Sequence, residues 1–178
     1  MDKMIEESII LTPRDKVYSE IVKSPGLHFR EIQRRTNLAT GALQYHIDYL
    51  KKKNFIFDKK EGKFSRFYSS QETNQIDLEL MNLLRQDQVR KIILIILQKK
   101  RISLINLKKE TNMNTATLNF HLSKLISSKI VEQKKINSKN YYLIKNKLPI
   151  IEMLYCYRKS FLDSLVDNFL DIWEKDLR

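Results

Sequence analysis

The feature that most constrains the fold is an internal repeat with a spacing of 75 residues. Residues 36–50 (TNLATGALQYHIDYL) align with residues 111–125 (TNMNTATLNFHLSKL), and six of the 15 positions are identical. The identical pairs are Thr36/Thr111, Asn37/Asn112, Thr40/Thr115, Leu43/Leu118, His46/His121 and Leu50/Leu125. Self-similarity at a fixed spacing is typical of a duplicated structural unit. The sequence therefore predicts two copies of one small domain.

The first copy predicts three helices followed by a hairpin. Thr12 and Asp15 form a capping-box pattern around Pro13 at the start of a helix, which Ser24-Pro25-Gly26 ends. A short strand at Leu27, a helix over residues 29–36 capped by His28, and a helix over residues 40–53 with Thr40 as its N-cap follow. Two strands, over residues 55–58 and 64–69, enclose a polar turn at residues 59–63.

The second copy repeats this order. It predicts a helix over residues 87–99, a strand at Ile102, helices over 103–111 and 115–128, and strands over 130–134 and 140–144 around a turn at 137–139. The predicted domains are 1–70 and 85–147, joined by a linker at 71–84 whose helix, starting at 78, continues into the second copy. One amphipathic helix over residues 149–175 fills the last segment, 148–178.

The positive charge of the chain is concentrated in these two copies. Of a net charge of +12, residues 1–75 carry +4, residues 76–147 carry +10 and residues 148–178 carry −2. A merely lysine-rich composition would spread the excess evenly. The distribution favours a polyanionic partner.

The order of elements resembles a known family. The stretches LHFREIQRRTNLATGALQYHIDYLKKKNFI and NLKKETNMNTATLNFHLSKLISSKIV resemble the DNA-binding core of ArsR/MarR-type winged-helix regulators. Their tandem arrangement resembles archaeal transcriptional regulators with two such domains. The resemblance implies a mainly α fold with small β-hairpin wings (α+β), built from two tandem winged helix-turn-helix domains plus the C-terminal helix. It also implies a regulator that binds double-stranded DNA, acts in the cytoplasm at the nucleoid and contacts the transcription machinery.

The third helix of each copy is predicted to read DNA bases. A helix in the major groove presents N-terminal side chains to base edges, so the face opposite Leu43, Ile47 and Leu50 carries the contacts. The first reading face consists of Thr40, Gly41, Ala42, Gln44, Tyr45 and Asp48, and the second of Thr115, Ala116, Thr117, Asn119, Phe120 and Ser123. Gln44 suits bidentate pairing with adenine, Asn119 takes its place in the second copy, and Ala42 suits a thymine methyl group.

Basic side chains near these helices and in the hairpin turns are predicted to bind phosphate. They are Arg34, Arg35, Lys51, Lys52, Lys53, Lys59, Lys60, Lys63 and Arg66 in the first copy, and Lys108, Lys109, Lys124, Lys134, Lys135 and Lys139 in the second. Each lysine run taken alone is also compatible with an ordinary solvated face.

Two pairs of aromatic side chains have alternative interpretations. Tyr45 and Phe120 occupy a position where similar regulators often carry arginine, so they are either DNA-facing or part of a core or an interface. His46 and His121 share one repeat position beside a core residue, and we favour a structural role over metal binding or catalysis.

The last helix predicts a homodimer. Its apolar stripe includes Tyr155, Leu162, Leu165, Phe169 and Ile172, with Trp173 at the flank. Packing on the domains is the alternative, but operator half-sites usually match a two-fold dimer, which favours self-association.

Other function classes are less compatible with the sequence. A winged-helix protein-interaction or chromosome-organisation subunit without sequence-specific DNA binding is the main alternative. The sequence contains no Gly-rich phosphate loop or nucleophile–base pattern, so we expect no enzyme. With one cysteine, Cys156, it predicts no thiolate metal site and no cofactor. We expect neither signal peptide nor membrane span, since the longest apolar run is residues 92–97.

Overall fold

The computed structural model describes residues 11–62, 64–71 and 77–176. The chain divides into two compact units, Met1–Ile76 and Asp77–Arg178. The first contains α1 (Pro13–Lys23), β1 (Leu27–His28), α2 (Phe29–Thr36), α3 (Thr40–Lys52), β2 (Ile56–Glu61) and β3 (Phe64–Ser69). The second contains α4 (Leu78–Leu84), α5 (Asp87–Lys99), β4 (Ile102–Ser103), α6 (Leu104–Thr111), α7 (Thr115–Ser127), β5 (Glu132–Ile136), β6 (Lys139–Leu143), α8 (Leu148–Cys156), α9 (Arg158–Phe161) and α10 (Ser164–Asp176). The predicted fold class, mainly α with winged-helix hairpins, is confirmed.

Local capping signals start the first two helices. The Thr12 side chain accepts a hydrogen bond from the Asp15 backbone N–H, and the Asp15 carboxylate accepts one from the Thr12 backbone N–H. His28 forms the same reciprocal pair with Glu31 at the start of α2. Both predicted caps are confirmed. Such boxes satisfy N–H groups that the first helical turn leaves without partners.

The shared Thr-Asn pair ends the second helix of each copy. Asn37 and Asn112 both adopt the left-handed conformation, with φ of 55° and 57°. Asparagine tolerates this conformation better than most residues, so it allows the chain to reverse immediately. The preceding threonines are buried, and their hydroxyls donate to Ile32 O at 2.8 Å and Leu107 O at 2.7 Å. These two identities of the repeat are therefore backbone requirements.

The third helix of each copy is fastened by one apolar stripe. Leu43, Ile47 and Leu50 of α3 are at most 3% exposed and pack in one cluster with Val17 and Ile21 of α1. In the second unit, Leu118, Leu122 and Leu125 of α7 are equally buried. Burying such a side chain contributes roughly 1.5–3 kcal/mol. The buried stripe therefore fixes which face of each helix meets solvent.

Each unit carries a three-stranded antiparallel sheet of matching order. The orders are β1-β3-β2 and β4-β6-β5. The first hairpin is longer than predicted: its ladder continues to the pair Glu61–Phe64 and turns at Gly62, where φ is 57°. The second turns at Asn137 and Ser138, both with positive φ, so Lys139 belongs to β6. The lysines predicted to lie in turns therefore lie mostly along strands.

The predicted continuous helix from residue 78 into the second copy is wrong. α4 ends at Leu84 and α5 begins at Asp87, with Arg85 and Gln86 between them. Arg85 donates to the Ser160 carbonyl and hydroxyl, both at 2.9 Å, and its guanidinium lies 4.6 Å from the ring centre of Phe161. The helix is interrupted at the residue whose side chain bonds to α9. The linker residues 72–76 lie outside the described residues.

The C-terminal segment is helical as predicted, but it is three helices instead of one. The break between α9 and α10 lies at Leu162, whose φ is 52°. Asp163 accepts from the Leu165 N–H at 2.9 Å and from Arg90 Nε at 2.7 Å. The left-handed backbone of Leu162 excludes a straight helix through this point, and Asp163 then starts α10 while pairing with a buried arginine of α5. No helix among the described residues is long and apolar enough to cross a membrane.

Replacing Arg90 with methionine should destabilise the second unit. The Arg90 side chain is 5% exposed and also donates to Leu84 O at 2.7 Å, so its loss leaves Asp163 without its buried partner. Removal of one member of a buried pair costs about 3–5 kcal/mol, and we expect about 3 because Asp163 is partly exposed. Urea unfolding followed by the fluorescence of Trp173 measures this.

Arg158→Met is the matched control, because Arg158 pairs with the exposed carboxylates of Asp167 and Asp171. Exposed ion pairs contribute little to stability. Equal losses of unfolding free energy in the two variants would contradict the assignment of Arg90 as the buried anchor.

Candidate nucleic-acid interface

The first reading face lies on solvent along its whole length. Because α3 buries Leu43, Ile47 and Leu50, the opposite side of the helix is uncovered. The six predicted residues are all exposed: Thr40, Gly41, Ala42, Gln44, Tyr45 and Asp48. The structure therefore brings them together on one side of α3, as the sequence predicts.

The start of α3 differs from the prediction by one residue. Ala39, and not Thr40, is the N-cap, and it provides no side-chain cap. Thr40 Oγ1 instead accepts from Gln33 Nε2 at 2.9 Å, and the same amide donates to Leu38 O at 3.3 Å. The prediction of Thr40 as N-cap is therefore wrong. Gln33 of α2 thus holds the turn between α2 and α3 and the first residue of the first reading face.

Gln44 and Asp48 form a pair on the first reading face. Gln44 Nε2 donates to Asp48 Oδ1 at 2.9 Å, one helical turn further along. The bond orients the Gln44 amide and leaves one of its N–H groups and its carbonyl oxygen for another partner. α3 and the hairpin also border a cleft of about 420 Å³, whose lining includes Gln44, Asp48, Lys51 and Asp58.

The second reading face is similar but carries no carboxylate. Thr115, Ala116, Asn119, Phe120 and Ser123 are exposed, and Thr117 is half-buried. The N-cap is Asn114, whose Oδ1 accepts from the Thr117 N–H at 2.8 Å. The start of α7 therefore has a side-chain cap, whereas the start of α3 has none.

The aromatic residues of the two faces are not core residues. Tyr45 is 62% exposed and Phe120 is 68% exposed. Each ring meets the following histidine edge-on, with centroids 5.4 Å apart in both units. The interpretation of these side chains as part of a core is therefore wrong for this chain. They lie on the reading faces with the predicted base-contacting residues.

The histidines of the repeat sit at the margin of the core. His46 and His121 are half-buried, and their Nδ1 atoms are buried without a hydrogen-bond partner. Burial, together with the nearby Lys124 ammonium, lowers the pKa of His121. Among the described residues, no three His, Cys, Asp or Glu side chains lie close enough to hold a metal ion. This placement supports a packing role for both rings.

Most of the predicted phosphate-binding residues are exposed. They are Arg34, Lys51, Lys52, Lys53, Lys59 and Lys60 in the first unit, and Lys108, Lys109, Lys134, Lys135 and Lys139 in the second. Lys51 pairs with Asp58 at 2.5 Å, which lowers the pKa of that carboxyl. Lys124 is half-buried and donates to Gln86 at 3.1 Å. Lys63 lies outside the described residues.

Two predicted phosphate-binding arginines are used inside the first unit. Arg66 is 8% exposed; it donates to Glu61 at 3.0 Å and to the Gly26 carbonyl at 2.8 Å. Arg35 donates to Ser24 at 2.8 Å and lies 3.9 Å from Glu20. The structure does not bring these guanidinium groups to the surface that holds the exposed lysines. A signal was present for Arg66, which lies two residues from the buried Tyr68 on β3.

Acidic residues among these lysines were not predicted to reduce the available positive charge. Asp58 and Glu61 lie on β2, where they pair with Lys51 and Arg66. In the second hairpin Glu132 pairs with Lys145, at the end away from the turn. The hairpin of the first unit is therefore partly neutralised, and that of the second is less so.

Comparison with known proteins is consistent with this geometry. A family model described as an N-terminal HTH (helix-turn-helix) domain matches residues 12–81, which include α1 to β3. A protein of Methanocaldococcus jannaschii, named as an uncharacterized HTH-type transcriptional regulator, is 30% identical over 144 residues, or 80% of this chain. The chain spans 36% of the length of that relative.

The stability of the second unit should fall as the pH drops through the range in which histidine titrates. The pKa of His121 is lowered in the folded state from its ordinary value of 6.5. As the pH falls, His121 therefore becomes protonated in the unfolded chain before it does so in the folded protein. Stability is therefore full above that value and decreases below it. In denaturant unfolding at pH 7.5 and pH 5.5, the free energy of unfolding should decrease less between the two pH values in His121→Gln than in the unaltered protein. An identical loss in both would contradict the burial of this imidazole.

Proposed function

We propose that this protein is a DNA-binding transcriptional regulator and not an enzyme. α3 and α7 enter the major groove, and the hairpins β2–β3 and β5–β6 lie along the DNA backbone. The observation that carries the proposal is the exposure of both reading faces, in two units that each also carry exposed lysines. The HTH match over residues 12–81 and the name of the Methanocaldococcus jannaschii relative support the same function. A regulator of this kind acts at the nucleoid, in the cytoplasm, where it meets the transcription machinery.

We assign base reading to the side-chain amides of the two reading faces. Gln44 and Asn119 occupy equivalent positions, both exposed, and each can bond adenine through its N6 and N7 atoms. Asp48 holds the Gln44 amide at 2.9 Å and can accept from a cytosine amino group. The second face has Ser123 in place of Asp48. The first domain therefore has the stricter hydrogen-bond pattern.

Phosphate binding is assigned to the exposed lysines. Lys59 and Lys60 of β2, with Lys134, Lys135 and Lys139 of the second hairpin, provide cations that do not depend on base sequence. Residues 76–147 carry +10, against +4 for residues 1–75, and α7 contains no carboxylate. We infer that the second domain supplies more of the sequence-independent affinity. Arg35, Arg66 and Lys124 are left out of this assignment because each has a partner within its own unit.

We also propose that the C-terminal segment forms a homodimer. Four of the six predicted residues are exposed: Tyr155, Leu162, Leu165 and Ile172. Phe169 is buried and stacks on the half-buried Trp173 of the same helix, with ring centres 6.1 Å apart, so these two residues are less available for a dimer contact. Leu165 and Ile172 are seven residues apart on α10 and share one face. This face is the core of the proposed dimer contact.

Loss of wing lysines should weaken binding to all DNA sequences alike. If the protein makes six or more phosphate contacts, affinity for duplex DNA should fall roughly a thousandfold between 50 and 200 mM salt. In Lys59→Ala/Lys60→Ala, the slope of log affinity against log salt should decrease by about 1.8, for two lost contacts. Fluorescence anisotropy with one preferred and one scrambled duplex measures both quantities.

The control for this experiment is Lys16→Ala/Lys23→Ala, which removes the same charge from exposed positions of α1. It should leave the slope nearly unchanged. A salt-independent affinity in the unaltered protein would reject the regulator in favour of a winged-helix protein-interaction subunit. A wing variant that changed only base preference would reject the division of roles.

Charges on the α10 face should dissociate the dimer. Burying a leucine-sized side chain contributes roughly 1.5–3 kcal/mol, so Leu165→Asp/Ile172→Asp should raise the dimer Kd at least about a hundredfold. Analytical ultracentrifugation gives the masses. Ile105→Asp, at an exposed apolar residue of α6, should remain dimeric. A monomeric unaltered protein at tens of micromolar would refute the dimer.

A further inference from the structure

Two large aromatic rings are exposed to solvent at equivalent positions of the repeat. Tyr45 is 62% exposed on α3, and Phe120 is 68% exposed on α7. The stripes that fasten these helices to their domains run along the opposite face. Neither ring therefore contributes to the core of its own domain. Exposure of an apolar ring to water is unfavourable. The exposed position of these two rings therefore suggests that they contact a partner in a complex.

The rings have the same local geometry in both domains. Tyr45 meets His46 with an interplanar angle of 68°, and Phe120 meets His121 at 67°. The histidine rings are half-buried and therefore restrained by the core margin. Each exposed aromatic ring is thus supported on one side and uncovered on the other. A supported ring loses less conformational entropy when a partner packs against it.

The surroundings of each ring are small or polar. One turn before Tyr45 are Gly41 and Ala42, and an added Cβ at Gly41 would meet no atom within 4 Å. One turn before Phe120 are Ala116 and Thr117. The other residues of both reading faces are small or polar, so each reading face carries one large ring. This favours a small apolar group on a polar surface over an extended protein interface.

The major groove offers one apolar group of that size, the C5-methyl of thymine. We propose that Tyr45 and Phe120 each pack on a thymine methyl group. Gln44 and Asn119 precede the rings and suit adenine, so each domain would recognise a step that contains A·T pairs. Each protomer would then read two A·T-containing elements of the operator, one with each domain. This inference rests on the proposed DNA-binding function and adds to it the bases that are read.

The test removes the methyl group alone. A preferred duplex is obtained by selection from a random library, and a second copy is made with deoxyuridine in place of every thymidine. Base pairing and groove hydrogen bonds remain, because uracil differs from thymine only by the C5-methyl. The loss of one buried methyl should cost about fourfold in affinity, and two should cost about fifteenfold. Anisotropy titration of the full chain at fixed salt gives the ratio of the two affinities.

Variants assign the effect to the rings. Tyr45→Ala/Phe120→Ala should bind the two duplexes equally and keep the salt slope of the unaltered protein. Tyr45→Phe should keep the penalty for deoxyuridine, because the ring remains. Both side chains are exposed, so thermal unfolding should be unchanged in all variants. Lys59→Ala/Lys60→Ala should weaken binding to both duplexes and preserve their ratio.

The outcomes separate this inference from the proposed function. Steep salt dependence with equal affinity for the two duplexes would keep the regulator and overturn the thymine contacts. A deoxyuridine penalty that survives in Tyr45→Ala/Phe120→Ala would assign the methyl contacts to Ala42 or Thr117 and also overturn the inference. Absence of salt-dependent DNA binding would reject both proposals and leave the rings as a protein contact.

Discussion

Burial of one apolar stripe on the third helix of each domain determines most of what this molecule can do. Leu43, Ile47 and Leu50 are at most 3% exposed, and their equivalents on α7 are buried as deeply. Rotation of either helix about its axis would expose this stripe, at roughly 1.5–3 kcal/mol for each side chain. Burial of this stripe therefore keeps the opposite face exposed to solvent. A surface fixed in this way can be varied without loss of the fold.

The elements that were predicted correctly are those with local causes. Helix α5 was placed over its observed range, and the caps at Thr12 and His28 depend on residues three positions away. The C-terminal segment was predicted less well, because Asp163 at its break bonds to Arg90, 73 residues earlier in the chain. Apolar periodicity continues across Leu162 although the helix does not. Sequence spacing detects which face is apolar, but it does not detect where a distant charge ends a helix.

The candidate site shows the same limit for charged side chains. The faces of α3 and α7 follow from helix geometry, so their residues were predicted together. Which cations remain on the surface depends on strand register and on partners distant in sequence. Arg66 bonds to the carbonyl of Gly26, 40 residues earlier, and Lys51 reaches Asp58 across the start of β2. Counting basic residues therefore overestimates the cations available for phosphate, and more so in the first domain.

Comparison of the two domains distinguishes residues that the fold requires from residues that it does not require. Thr36 and Thr111 close α2 and α6, Asn37 and Asn112 take left-handed backbone, and the shared leucines are buried. Several exposed positions differ, as in Asp48 and Ser123, whereas Thr40 and Thr115 are identical. An aromatic ring at the position of Tyr45 and Phe120 is also present twice, and its ring contact within its own domain is with the edge of the following histidine. The proposed contact with a methyl-bearing base edge would give these two exposed rings a partner that the fold itself does not provide.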